Sequence, residues 1–231
     1  MNIKALTFPY DIFERHKFIA THLTNNQTVL DVGGELRNLS LFSKASIKEA
    51  NLTSGDVIYG GKKLPVADDS FNVVTSIDVL EHVPPKDRSS FIADLVRVAT
   101  DVVIISAPFG SKSHLELEKN LLESIEKKGK SDRYLKEHVE NGIPELAEVR
   151  KLASGQNKFE KIGFYYSGNI YLSAWLFKVH SSEIIIPVIR RGYYYLKLIF
   201  NSLVNIAYYP FAIGTNPSET TNRFYLVLAK K

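Results

Sequence analysis

Three histidines and their neighbouring carboxylates are the side chains best suited to acid–base chemistry. Asp78, Glu81 and His82 follow directly on an apolar segment that ends at Ile77. A histidine at that position could accept a proton from the nucleophile of a substrate, and Asp78 could line a ligand pocket. The structural alternative is that Asp78 caps a helix and that His82 is a hydrogen-bonded structural histidine.

A second group of such residues, His114, Glu118 and His138, lies further along the chain. His114 and Glu118 are four residues apart and share one face of a helix. Such a pair could bind a metal or orient a base, and the alternative is the solvated face of a charged helix. We take His82, His114 and His138 as candidate catalytic residues and assign no metal ligand.

The segment 28–34 has the features of a ligand-binding turn. Its apolar residues predict a strand buried on both faces, which ends near Asp31. Gly33 and Gly34 allow the backbone to turn sharply and to approach a ligand closely. In open parallel sheets, ligands bind at the carboxyl ends of the strands, which is where this turn is expected.

The periodicity of apolar residues predicts the elements that position these side chains. We expect helices over 8–23, 36–42, 89–99, 113–130 and 132–139, and strands over 46–52, 56–59, 71–77, 101–107, 159–166 and 224–228. Alternating strands and helices indicate right-handed βαβ units and a mostly parallel sheet.

The strands predicted at 46–52 and 56–59 are separated by only three residues. A parallel crossover with a helix needs a dozen or more residues. We therefore expect either a hairpin or an extended second segment, without the usual helix.

Composition excludes several classes of protein. The chain has 231 residues, a net charge of +4 and no cysteine. Its basic residues are scattered, which argues against a nucleic-acid surface. The absence of cysteine excludes disulfides, thiolate metal sites and cysteine nucleophiles, and it favours a reducing, cytoplasmic compartment.

Three segments in order resemble a known family: Leu30–Gly34, then Leu64–Phe71 with its LPVADDSF sequence, then Ile77–His82 with IDVLEH. They are similar to class I S-adenosylmethionine-dependent methyltransferases. The resemblance covers roughly residues 25 to 110. It implies an α/β Rossmann-like sheet with helices on both faces, an antiparallel last strand, a modified region around strands 2 and 3, and a helical C-terminal insertion.

The resemblance also implies one domain over 1–231. Its core would comprise 25–110, 159–169 and 223–231, and helical insertions would occupy 111–158 and 170–222. A nicotinamide dehydrogenase would need further glycines, and pyrimidine-C5 methylation would need a cysteine. The Asn/Asp-Pro-Pro-aromatic loop of adenine-N6 and cytosine-N4 DNA methylation is also missing.

The implied cofactor is S-adenosyl-L-methionine. Positions that match the family's cofactor site are Asp31, Gly33, Gly34, Glu35, Asn51, Gly60, Gly61, Asp78 and Val79. The chain departs from the family at three places. The second glycine is shifted by one position, Asn51 replaces the usual acid near the ribose, and Gly60 replaces the acid near the adenine.

We therefore expect methyl transfer to an oxygen or nitrogen of a small molecule or glycan. The alternative is a degenerate, non-catalytic fold that serves as a binding or assembly module, with Glu35 or Arg37 filling the pocket. The aromatic-rich stretch 184–213 could contact a membrane surface, although core or homo-oligomer contact is the more common role of such a stretch.

Overall fold

A mixed eight-stranded sheet organises the chain. The computed structural model describes residues 2–34, 36–61, 63–181 and 187–230. The strands are β1 Thr28–Val32, β2 Ser46–Asn51, β3 Val57–Ile58, β4 Phe71–Ile77, β5 Ala99–Pro108, β6 Lys161–Asn169, β7 Ile213–Gly214 and β8 Thr221–Ala229. They lie in the order β3-β2-β1-β4-β5-β8-β6-β7.

Helices cover the two faces of this sheet. They are α1 Tyr10–Ala20, α2 Arg88–Val98, α3 Lys112–Glu126, α4 Arg133–Asn141, α5 Leu146–Ser154, α6 Ile170–Ser181 and α7 Pro187–Tyr208. One core cluster joins the sheet to α2 and α5 through residues such as Ile92 and Val149. The other joins the opposite face to α1 through Phe18 and Ile19. The predicted Rossmann-like α/β class is confirmed.

The strand β8 runs antiparallel between β5 and β6. Its residues pair with β5 from Arg223↔Pro108 to Ala229↔Val102, and it pairs antiparallel with β6 as well. The expected antiparallel last strand is therefore present. The two-residue strand β7 pairs antiparallel with β6 at the sheet edge and was not predicted.

The region of β2 and β3 differs from both structures expected for it. Ala50 pairs with Val57 and Asn51 with Ile58 in parallel, so the hairpin and the unpaired extended segment are both wrong. The loop closes because Glu49 N donates to Asp56 Oδ2 at 2.9 Å. The Asp56 carboxylate thus accepts a bond that a backbone carbonyl accepts in a regular ladder. A parallel ladder of two residue pairs forms without a crossover helix.

The turn that follows β1 contains less helix than predicted. Leu36 and Arg37 have φ values of 59° and 54°, a left-handed conformation that stops a helix from beginning at residue 36. Only a short 3-10 helix forms, over Leu39–Leu41.

The helix α7 carries an apolar stripe on its exposed side. The stripe is Ile189, Leu196, Ile199, Leu203 and Ile206, each between 52% and 64% exposed. At about 100° per residue these positions share one side of the helix, opposite the buried Asn201 and Asn205. Among the described residues, no helix is both long enough and apolar enough to cross a bilayer.

Candidate active site

The turn after β1 is packed tightly around its two glycines. Asp31 is buried, and its Oδ1 accepts a hydrogen bond from Thr75 Oγ1 at 2.8 Å. Burial raises the pKa of this carboxyl to about 7. Gly33 has φ +86°, and a Cβ there would lie 2.1 Å from Val79 Cγ2. A Cβ on Gly34 would lie 2.5 Å from Asp31 Oδ2. Both positions therefore exclude a side chain.

The side chain predicted to face a ribose is bonded within the protein. Asn51 Nδ2 donates to the Gly34 carbonyl at 3.1 Å, and its Oδ1 accepts from Leu52 N at 2.7 Å. The next predicted contacts, Gly60 and Gly61, lie on an exposed loop at φ 59° and 72°. A Cβ on Gly60 would have no atom within 4 Å, so the space beside this loop is open.

Arg37 does not fill the space beyond β1. Its Nη2 donates to Asp56 Oδ1 at 2.8 Å on the exposed edge, and its backbone N donates to Glu49 Oε1 at 2.6 Å. The expectation that Arg37 plugs the pocket is wrong, because Asp56 holds the guanidinium at that edge. Glu35 lies outside the described residues.

Asp78 is the charged centre of the edge beyond β4. Its φ is +53°, and its N donates to Ser106 O at 2.9 Å. Its carboxylate binds both Arg15 and Arg223. Burial alone would raise the pKa of Asp78, but the two guanidinium charges outweigh it and lower the pKa. The structural alternative, a helix cap at Asp78, is wrong, because the helices that follow begin at Pro85 and Arg88 with Pro84 and Asp87 at their N-caps. Burial together with the Asp78 charge raises the pKa of Glu81 to about 8.

The structure brings the three predicted histidines to one place. His82 follows β4, His114 lies on α3 and His138 on α4. The rings of His82 and His138 lie 4.8 Å apart between centroids. Glu118 links the other two: its Oε1 lies 3.1 Å from His138 Nδ1 and 3.6 Å from His114 Nε2.

The helical pair His114 and Glu118 is buried rather than solvated. His114 and Glu118 are 6% and 9% exposed, so a solvated helix face is the wrong interpretation of their spacing. Burial lowers the pKa of His82 and of His114. Burial also acts to lower the pKa of His138, but its hydrogen bond to Glu118 and the charge of that carboxylate outweigh burial and raise it.

The model of the methyltransferase domain family matches residues 22–104. This span contains the turn after β1, the β2–β3 loop and the Asp78–His82 segment. Over this span the chain is therefore similar to the methyltransferase domain family. No curated protein matches the chain.

Solved structures of methyltransferases share the fold of this chain. An S-adenosylmethionine-dependent methyltransferase of Thermotoga maritima is 13% identical, with a TM-score of 0.57, covering 98% of this chain and 92% of its own. One from Archaeoglobus fulgidus is 10% identical, with a TM-score of 0.53 and coverages of 94% and 91%. Phosphoethanolamine N-methyltransferase 2 of Haemonchus contortus, solved with S-adenosylhomocysteine, is 13% identical, with a TM-score of 0.54 and coverages of 94% and 53%.

S-Adenosyl-L-methionine is the cofactor that the domain match implies, and one buried atom fits its amino-acid end. Arg15 Nε is buried and makes no hydrogen bond, and the Arg15 charge acts on Asp31 at the tip of β1. A guanidinium with a free donor suits a carboxylate. Gly60 lies on the exposed surface with no atom near the position of an added Cβ, and the Asn51 amide is already engaged.

Sequence reasoning missed three charged residues at this site. Arg15 and Arg223 hold Asp78 from 63 and 145 residues away. Glu137 faces His82. Glu118, which the i,i+4 spacing from His114 had indicated, faces His138. No signal in the sequence indicated the two arginines, because only the folded chain brings them to the end of β4.

Proposed function

We propose that this methyltransferase transfers a methyl group to an oxygen or nitrogen of a small-molecule or glycan acceptor bound beside the histidine cluster. The observation that carries the proposal is the convergence of His82, His114 and His138 at the end of β4, next to Asp78 and the turn after β1. Cofactor and acceptor sites are expected to adjoin in this way.

The cofactor side of the site would use the residues that the sequence resemblance implies. S-Adenosyl-L-methionine supplies an electrophilic methyl group on a sulfonium. Arg15 would bind its carboxylate through the free Nε. The backbone at Gly33 and Gly34 would pass close to the ligand, with Val79 behind it. The remaining candidates along this edge are Asp31, Glu35, Asn51, Gly60, Gly61 and Asp78.

The histidines would receive the acceptor's proton. An alcohol or a protonated amine must lose a proton to be methylated, and a histidine within hydrogen-bond reach can take it. His114 Nδ1 lies 3.0 Å from the Phe109 carbonyl, which leaves Nε2 to face the cluster. The rings of His82 and His138 lie against each other, with 4.8 Å between their centroids.

Calorimetric titration with S-adenosylhomocysteine tests the cofactor side. We expect binding to the unmodified protein and a loss of about 10- to 100-fold in affinity for Arg15→Met, since a charge-assisted bond contributes about 1.5–3 kcal/mol. The matched control is Arg37→Met, whose guanidinium pairs with Asp56 instead and whose loss should leave the affinity unchanged. Equal affinities for the two variants would contradict this role for Arg15.

Release of S-adenosylhomocysteine from S-adenosylmethionine in the presence of alcohols, phenols, amines and sugars tests the acceptor side. For any acceptor that is turned over, His114→Gln should lower kcat by about 100-fold, the scale of general-base catalysis. The cofactor KM should not change. The control His22→Gln alters a ring that packs on Phe18 and Tyr165. An unchanged kcat in His114→Gln would remove this histidine from the reaction.

A non-catalytic binding module is the second candidate. The observation that favours it is Asn51, whose amide is engaged at both ends within the protein. A folded protein that binds neither S-adenosylmethionine nor S-adenosylhomocysteine in the titration above would support this alternative.

We also propose that the α7 stripe lies on an anionic membrane surface, in a protein located in the cytoplasm. The helix contains Arg190, Arg191 and Lys197 and no acidic residue, and Trp175 on α6 is 53% exposed. A basic amphipathic helix with exposed aromatic residues is typical of interfacial binding. The absence of cysteine supports the cytoplasmic location.

Co-sedimentation with vesicles, with and without phosphatidylglycerol, tests this surface. We expect Leu203→Glu to abolish binding to the anionic vesicles. The control Ile58→Glu changes a residue on β3 that is 59% exposed and should not affect binding. Self-association that Leu203→Glu removes, in a protein that binds no vesicle, would show instead that the stripe joins two copies of the chain.

A further inference from the structure

Three side chains beyond β4 present metal-binding atoms to one another. Glu81, His82 and His138 each place a ligand atom within 4.8 Å of the other two. Two imidazoles and one carboxylate form a common donor set for divalent transition metals. Ligand atoms around such an ion lie about 3.0–3.5 Å apart, so small side-chain rotations would close the site.

Atoms left without partners point to a missing ligand in the same place. Glu81 is 1% exposed and its Oε2 makes no hydrogen bond. His138 Nε2 is also buried without a hydrogen bond, and it lies 4.0 Å from Glu81 Oε1. Buried polar atoms are almost always bonded, because leaving one unpaired costs about 1–3 kcal/mol. A cation between Glu81 and His138 would satisfy both.

Two further carboxylates hold the imidazole rings from behind. Glu118 Oε1 lies 3.1 Å from His138 Nδ1. Glu137 Oε2 lies 2.9 Å from His82 Nδ1, at ion-pair distance although not in line for a hydrogen bond. Metal-ligating histidines usually place a carboxylate or carbonyl on the distal nitrogen, which fixes the ring and leaves the other nitrogen for the metal. Both rings therefore have Nε2 available.

We propose that Glu81, His82 and His138 bind one divalent transition-metal ion, with Glu118 and Glu137 orienting the two rings. A site with three protein ligands keeps coordination positions open for a small molecule. The ion would take His82 and His138 as ligands, and His114 would remain as the histidine able to accept a proton. The proposal goes beyond methyl transfer: it makes His82 and His138 metal ligands rather than proton acceptors, and its test requires no methyl transfer.

Metal titration of tag-free, chelator-treated protein tests the site without cofactor or acceptor. Co²⁺ is the probe, because protein-bound Co²⁺ with nitrogen and oxygen ligands gives visible absorption bands; Zn²⁺ competition gives the affinity. We expect one equivalent to bind. The variants Glu81→Gln and His138→Gln should each weaken binding by about 100-fold or more, exceeding the 10- to 100-fold effect of an outer-shell change.

Matched variants separate loss of the site from loss of the fold. His22→Gln removes an imidazole outside the cluster and should bind Co²⁺ as the unmodified protein does. Glu118→Gln keeps all three ligands and should weaken binding by about 10- to 100-fold. Zn²⁺ should raise the Tm of the unmodified protein but not that of Glu81→Gln. Absence of stoichiometric uptake, or uptake unchanged in both Glu81→Gln and His138→Gln, would overturn the proposal.

Discussion

At the scale of single residues, the site contains one aspartate that is paired with two arginines and a buried one that forms no ion pair with any described residue. Asp78 is ionised because two guanidinium groups surround it. Asp31 lies one strand away, and among the described residues its side-chain hydrogen bond comes from a neutral hydroxyl, that of Thr75. Its carboxyl therefore retains its proton to a higher pH than an exposed aspartic acid does.

The free energy of unfolding should depend on pH through the ionisation of Asp31. Its pKa rises from an ordinary 3.8 to about 7 on burial, and each tenfold change in acidity corresponds to about 1.4 kcal/mol. A raised carboxyl pKa contributes stability at low pH that is lost as the pH rises through 7. We expect Asp31→Asn to be stabilising by on the order of 3–4 kcal/mol near pH 8, and by much less near pH 5.

Urea unfolding of the cofactor-free protein at the two pH values measures this difference. Asp87→Asn is the control, because Asp87 is exposed and its side chain caps no helix. A stability difference between Asp31→Asn and the unmodified protein that does not vary with pH would contradict the buried, protonated state of Asp31.

At the scale of elements, strands buried on both faces were predictable and their unusual pairing was not. β4 matches its predicted bounds, Phe71–Ile77, because a continuous apolar run defines it. Besides backbone bonds, the β2–β3 connection uses an aspartate side chain that accepts from a backbone amide, which no periodicity reveals. The convergence of three histidines likewise depends on how α3 and α4 pack beyond β5. Spacing along the chain contains no such information.

The turns after β1 and β4 meet where Gly33 lies against Val79. Gly33→Ala would place a Cβ 2.1 Å from Val79 Cγ2 at a φ of +86°, and we expect it to destabilise the fold by about 3 kcal/mol. In a Val79→Ala background the clash is removed. There the same change should cost only about 1–2 kcal/mol, the price of the left-handed conformation.

Chemical unfolding of the four proteins in this cycle gives the coupling between the two turns. Gly60→Ala is a matched control, because φ there is +59° and the added Cβ meets no atom within 4 Å. It should cost about 1 kcal/mol. Equal costs for Gly33→Ala in the presence and absence of Val79 would disprove the contact.

At the scale of the whole molecule, α7 ties the C-terminal half of the chain to its N-terminal segment. Asn205 is 1% exposed and donates to the carbonyls of Leu6 and Phe8 at 2.8 and 2.9 Å. Asn201 donates to Thr7 in the same way. These bonds hold the segment just before α1, the helix that carries Arg15.

The hydrogen bonds of Asn205 should contribute to the free energy of unfolding. Asn205→Ala leaves two carbonyls without their donor, and we expect a loss of about 2–3 kcal/mol in the free energy of unfolding. Ser202→Ala, which removes a bond only to the Leu198 carbonyl of the same helix, should change it by less than about 0.5 kcal/mol. Thermal and urea unfolding measure both. Similar losses for the two variants would show that Asn205 does not anchor the N-terminal segment.

The position of β8 constrains the order of events during synthesis. This strand fills the gap between β5 and β6 and brings Arg223 to Asp78, yet it is synthesised after the other seven strands of the described sheet. Until then, β5 exposes an unpaired edge and Asp78 lacks one of its two counter-charges. Synthesis from the N-terminus therefore completes both the sheet and the site only when β8 is added. We expect a nascent chain stalled before Thr221 to depend on chaperones and to bind no nucleoside ligand.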